Sequence, residues 1–130
     1  MFRIEHIALW TEDIDRLADF YAKYFNGKIG STYLNAAKGF ESRFLSFEGG
    51  ARLEVMRTSV LKPQKSAPGA QRMGFTHLAI AVGSRQRVED LTNLLRQDGF
   101  DVLDGPRQTG DGYFESVILD PDGNRIEVTI

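Results

Sequence analysis

The strongest constraint on this chain is an order of elements that runs through once and then begins again. "FRIEHIALW" (Phe2–Trp10) alternates apolar and polar residues as a half-buried strand does. "TEDIDRLADFYAKYFNG" follows with Ile14, Leu17, Ala18, Tyr21, Tyr24 and Phe25 at helical spacing, Thr11 as the expected N-cap and Gly27 as the expected stop. Strand-like runs come next around Ile29 to Leu34, at "SRFLSF" and at "ARLEVMR", with Gly49-Gly50 as a hairpin turn. After residues 58–72, rich in proline and weak in periodicity, the order restarts. "GFTHLAIAV" is a strand, and "SRQRVEDLTNLLRQDG" is a helix with Val88, Leu91, Leu94 and Leu95 on one face and Gly99 at its end. "FDVLDG", "YFESVILD" and "NRIEVTI" close the second half as strands, with "DPDGN" as the last turn. The pattern is βαβββ twice. His6 lies over His77, Gly27 over Gly99 and Glu54 over Glu127, at offsets of 71, 72 and 73 positions, and "GARLEV" matches "GNRIEV". So slow a drift reads as an internal duplication. The expected division is a first module at 1–57, a linker loop at 58–72 and a second module at 73–130, sharing one structural domain.

Strand parity sorts the side chains of each module. Ile7 and Leu9 share one face of the first strand, and His6 and Ala8 the other. Leu78, Ile80 and Val82 likewise oppose His77, Ala79 and Ala81. In the closing strands Leu53 and Val55 oppose Arg52 and Glu54, while Ile126, Val128 and Ile130 oppose Arg125, Glu127 and Thr129. The large aliphatic face is expected to take the helix of its module. The other face carries an ionisable residue, and alanines beside each histidine leave room rather than fill it. Unpaired carboxylates on such a face are unfavourable without a cation or hydrogen-bond donors. Two imidazoles and two carboxylates suit a borderline divalent metal: Zn, Ni, Co, Mn or Fe.

Plainer readings compete with this one. A strand histidine is more often a hydrogen-bonded filler than a ligand, yet the chain has only 2 histidines and they occupy matching positions. Glu54 and Glu127 have arginines two residues before them, on the same face, and simple pairing with Arg52 and Arg125 is the alternative. "TGDGYFES" reads either as a flexible lip over a pocket, with Tyr113 at its edge, or as an ordinary hairpin. "DPDGNR" is turn chemistry.

Composition closes off several classes. Net charge is −2, with 16 Lys+Arg against 18 Asp+Glu, so there is no electrostatic footprint for nucleic acid. With 0 cysteines, a disulfide frame, thiolate catalysis and Cys-type zinc sites are all excluded. The sequence holds no long apolar run and no signal-peptide pattern, and a cytoplasmic protein without membrane association is expected. Phosphate loops, nucleophile elbows and dinucleotide fingerprints are missing.

Paired βαβββ modules with His on each first strand and Glu on each last resemble the vicinal oxygen chelate superfamily. This group holds glyoxalase I, fosfomycin- and bleomycin-resistance proteins, extradiol dioxygenases and methylmalonyl-CoA epimerase. "HIALWTEDIDRLADFYAKYF", "THLAIAV" and "LDPDGNRIEV" carry the likeness, which spans essentially the whole chain. It implies an α+β fold in which two βαβββ modules form a cupped mixed sheet with helices on the outer face. The quartet His6, Glu54, His77 and Glu127 looks most like that of glyoxalase I. That likeness implies one divalent metal per site, with Ni, Co or Zn favoured and Mn or Fe open. It also implies a homodimer with the site at or near the interface, and a small-molecule substrate.

The implied activity is of the lactoylglutathione lyase type, serving methylglyoxal detoxification. A hemithioacetal of a thiol and a 2-oxoaldehyde is isomerised to a 2-hydroxyacyl thioester by proton transfer. Glu127 is the expected base, with Glu54 as ligand or partner base. Arg43, Arg72, Arg107 and Tyr113 are the candidates for substrate contact. Alternatives within the resemblance are another metal-dependent enzyme (epimerase, ring-cleaving dioxygenase or thiol transferase) or a non-catalytic resistance protein that binds a small molecule.

Overall fold

A computed structural model of the chain describes residues 1–63 and 66–130. Residues 64 and 65 of the expected linker lie outside the described residues. The chain divides into two compact units, Met1–Gln64 and Lys65–Ile130.

In the first unit, strand β1 (His6–Trp10) leads to helix α1 (Ile14–Phe25), then β2 (Lys28–Ile29), β3 (Tyr33–Asn35), a 3-10 turn, β4 (Phe40–Ser46) and β5 (Arg52–Thr58). The sheet runs β1-β5-β4-β2, with β3 also on β4. β1 lies parallel to β5, with His6 opposite Arg52 and Ala8 opposite Glu54. The expected strand from Phe2 begins only at His6, because Phe2 and Ile4 are exposed and have no core to alternate against. The run around Ile29 to Leu34 breaks into β2 and β3 after Gly30, whose N–H is spent on the Phe44 carbonyl.

Both expected ends of α1 move. Asp13, not Thr11, is the N-cap, its carboxylate accepting the Arg16 N–H at 3.0 Å. Thr11 closes the preceding turn instead, its hydroxyl accepting the Asp13 N–H at 3.1 Å. Asn26, at φ 57, takes the left-handed cap position expected of Gly27. Gly27 sits instead at a close approach: a Cβ there would stand 2.9 Å from Leu45 Cδ2, and the Leu45 side chain would have to shift.

The second unit holds β6 (His77–Ala81), α2 (Arg85–Gln97), β7 (Val102–Gln108), β8 (Phe114–Leu119) and β9 (Arg125–Thr129), in the sheet order β6-β9-β8-β7. β6 lies parallel to β9, repeating the first unit's register: His77 opposite Arg125 and Ala79 opposite Glu127. Ser84 caps α2 at the Arg87 N–H, and Gly99 ends it at φ +91. The final turn is built on Asp120, 4 % exposed, whose carboxylate accepts from the N–H groups of Asp122 and Asn124 and from the Asn124 amide. The late part of the expected linker is tied to this unit, since the Gly69 carbonyl accepts from Arg125 at 2.8 Å.

Each helix packs over the strands away from the histidine-bearing edge: α1 on β2, β4 and β5, and α2 on β7, β8 and β9. The expectation that the aliphatic faces of β1 and β6 take the helices is therefore met only in part. Ile7, Leu9, Leu78 and Ile80 are half-buried, while Leu53, Val55, Ile126 and Val128 are core. Each such side chain contributes about 1.5–3 kcal/mol on burial. On α2, Leu94 is exposed and the buried stripe is Val88, Thr92 and Leu95. Thr92 is tolerated there because its hydroxyl bonds the Val88 carbonyl at 2.6 Å and the Ser116 hydroxyl at 2.7 Å.

Candidate metal-binding residues on two equivalent sheet faces

Parallel pairing puts the ionisable residues of neighbouring strands on one face, away from the helix. In the first unit this brings His6 Nε2 to 3.7 Å from Glu54 Oε1. In the second it brings His77 Nε2 to 3.2 Å from Glu127 Oε2. Each histidine therefore meets the glutamate one strand over. The competing arginine pairing is not what forms: Arg52 is bound to Glu5, and Arg125 to the Gly69 carbonyl.

The donor chemistry fits a divalent ion. Two ligands on one metal at ~2.1 Å, subtending tetrahedral or octahedral angles, stand ~3.0–3.4 Å apart. The second pair falls inside that range and the first lies slightly wide of it. Among the described residues no group of three or more His, Cys, Asp or Glu is placed to hold a metal. The donors occur as one pair in each unit.

The surroundings of the two pairs differ. Glu5 contacts His6 Nδ1, and its pKa is lowered below the ordinary carboxylate value by hydrogen bonding to His6 and then to Arg52. His77 Nδ1 has the Thr76 hydroxyl at 3.2 Å instead. In the second unit Glu115 stands on the same face as Glu127, one register step along β9. Burial raises its pKa, and the hydrogen bond and like charge of Glu127 raise it further.

Of the residues expected to contact substrate, Arg43 lies on the helix face, opposite in parity to Phe44 and Glu54. Its guanidinium is held by Asp15 of α1 at 3.1 Å and by the Gly30 carbonyl. Arg107 is on the Glu115 face, bound to Asp104 at 2.8 Å, which lowers the Asp104 pKa. Arg72 is exposed with Ser66 at 3.4 Å. Tyr113 is exposed in a turn closed by the Thr109 hydroxyl, which accepts the Tyr113 N–H at 2.9 Å.

Sequence reasoning passed over Glu5, Glu115 and an aromatic group beside Glu54. Trp10 and Phe40 meet edge to face at 6.2 Å, and Tyr33 lies 6.1 Å from Phe40. Trp10 sits opposite Met56, and Tyr33 opposite Ser42, so parity puts both on the Glu54 face, with Trp10 48% and Tyr33 58% exposed. Parity was enough to find Glu115 and Trp10. The partnership of Glu5 with a neighbouring strand was not visible in this way.

A profile of the family described as the Glyoxalase/Bleomycin resistance protein/Dioxygenase superfamily matches residues 3–128. A search of curated proteins found no match. Among solved structures, the Leishmania major glyoxalase I, described as trypanothione-dependent, superposes with a TM-score of 0.78 at 20% identity, covering 99% of this chain and 86% of that one. A glyoxalase family protein from Bacillus cereus superposes at 0.81 with 13% identity, over 99% and 93% of the two chains. The V278E mutant of Zea mays glyoxalase I gives 0.77 at 23% identity, over 98% of this chain and 44% of the maize chain. At these identities the likeness is one of fold.

Proposed function

We propose, for a chain that belongs to the Glyoxalase/Bleomycin resistance protein/Dioxygenase superfamily, that it is a divalent-metal-dependent enzyme of the glyoxalase I type. It isomerises the hemithioacetal of a 2-oxoaldehyde and a thiol to a 2-hydroxyacyl thioester. The observation that supports this reading is the duplicated pair, His6 with Glu54 and His77 with Glu127, at matching register in the two units. These four residues would hold the metal, with Ni, Co or Zn favoured. We take the working form to be a cytoplasmic homodimer in which one pair from each module serves a site. When bound, the metal supplies Lewis-acid polarisation of two adjacent substrate oxygens and neutralises charge developing on them.

The chain's own residues carry the proton. Glu127 removes it from the carbon bearing the sulfur and hydroxyl, and returns it to the neighbouring carbonyl carbon. The hydroxyl proton passes from the first oxygen to the second, so the first carbon becomes the thioester carbonyl and the second bears the hydroxyl, and atoms and electrons balance without a redox partner. Glu54 is the ligand or partner base. Glu115, whose pKa is raised by burial and then by Glu127, shares the sheet face of Glu127.

A second reading concerns the substrate. Arg43 and Arg107, two candidates for binding the carboxylates of glutathione, are already held by Asp15 and Asp104. The open face beside Glu54 is instead aromatic, with Trp10, Phe40 and Tyr33. That favours a substrate with an apolar group, handled by the same metal pairs. The deciding experiment is metal analysis of protein purified without added metal, then assay of methylglyoxal with glutathione across Ni, Co, Zn and Mn. Turnover with metal establishes the first reading. Metal uptake without turnover on this substrate favours the second, and no metal uptake overturns both.

A further inference from the structure

The two modules match in their His and Glu residues but not in what holds the histidine. In the first unit Glu5 bridges two partners: one carboxylate oxygen faces His6 Nδ1, and the other accepts from Arg52 Nε at 2.8 Å. Arg52 is opposite His6 in the sheet, and its backbone N–H is fixed to the Glu5 carbonyl at 2.9 Å. Its guanidinium lies 4.0 Å over the Phe44 ring, and that ring meets the His6 imidazole edge to face at 5.5 Å. Glu5, His6, Arg52 and Phe44 thus form a closed ring of contacts. At the matching positions the second unit has Thr76, His77, Arg125 and Val117, and Arg125 is turned away to Gly69.

An ionised carboxylate only accepts, so the nitrogen facing it must carry the hydrogen. Nδ1 of His6 therefore donates to Glu5, leaving Nε2, which at 3.7 Å is beyond hydrogen-bond reach of Glu54, free for a ligand. A histidine whose remote nitrogen is bound by a carboxylate is fixed in tautomer and ring orientation and is a more basic ligand. Thr76 lacks this compulsion, because its hydroxyl both donates and accepts.

We propose that Glu5, anchored by Arg52, is a positioning residue that locks His6 in the Nδ1–H form with Nε2 presented for metal, a device the second module lacks. This rests on the metal reading above, and the test separates the two. The ring tautomer of His6 is read by long-range nitrogen–proton NMR on the metal-free protein at neutral pH, with His77 as the internal control for folding. Zinc affinity is read separately by competition with a chromophoric chelator. Wild type is expected to show the Nδ1–H form at His6. Glu5→Ala is expected to give mixed tautomers and to weaken zinc about 10- to 100-fold. Glu5→Gln retains an acceptor and restores most of both, while Thr76→Val leaves the His6 signal unchanged. An Nε2–H form in wild type, or an unchanged tautomer in Glu5→Ala, overturns the proposal. If zinc binds and Glu5→Ala binds it equally well, the proposal also fails while the metal reading stands. If wild type takes up no zinc, the metal reading fails and the tautomer alone decides the role of Glu5.

Discussion

His77 Nε2 stands 3.2 Å from Glu127 Oε2, across a parallel strand pair in which Ala79, and not His77, is the residue opposite the glutamate. The contact is diagonal: the histidine reaches forward along its strand over the space that alanine leaves. His6, Ala8 and Glu54 repeat the arrangement, at 3.7 Å. Small residues beside the histidines are what let the two side chains meet.

If Glu127 carries the proton, Glu127→Gln keeps the size and the strand but removes the base. Turnover is expected to fall by about 10²–10⁴-fold, with the circular dichroism spectrum and melting temperature little changed. Steady-state assay of the metal-loaded variant checks this, and full activity would refute the assignment.

Glu115 gives a pH dependence that a melting series on metal-free protein can read. Its folded-state pKa is raised above 4.5 by burial and by Glu127. The folded chain therefore keeps a proton that the unfolded chain has lost as pH rises beyond the ordinary value. Stability from this group is present at low pH and declines as pH rises through the raised value. Glu115→Gln should melt higher than wild type above that window, the gap closing toward acid. Glu5 and Asp104, both shifted downward, act alike in the two proteins and cancel in the difference. Parallel melting curves would rule the linkage out.

Within the second unit, Thr92 and Ser116, both buried, bond each other between α2 and β8. Thr92→Val leaves the Ser116 hydroxyl buried without that partner and is expected to lower stability by about 1–3 kcal/mol. The double variant with Ser116→Ala should be less destabilised than the two single losses added together. Urea titration supplies all three values.

Should Trp10 contact the apolar part of a substrate, Trp10→Ala will raise KM about threefold to tenfold with a smaller change in kcat. An unchanged KM across several 2-oxoaldehydes would remove the aromatic group from the site.

Sequence determined the larger outline: two βαβββ halves, the strand carrying each histidine and glutamate, and the face each one occupies. These follow from period and parity, which depend only on how a backbone spaces its side chains. The cap positions shifted by a residue or two because Asp13 and Asn26 compete locally with Thr11 and Gly27, and propensity alone does not rank such neighbours. Only tertiary structure decided the partners. Arg52 and Arg125 occupy equivalent positions in "GARLEV" and "GNRIEV", yet one clasps Glu5 and the other a loop carbonyl. Arg43 goes to the helix face, where Asp15 waits, and Glu115 is pressed against Glu127 by the register of β8 on β9. A side chain's charge is written in the sequence, but which partner it meets depends on strand register and on loops closing from far along the chain, and these only packing sets.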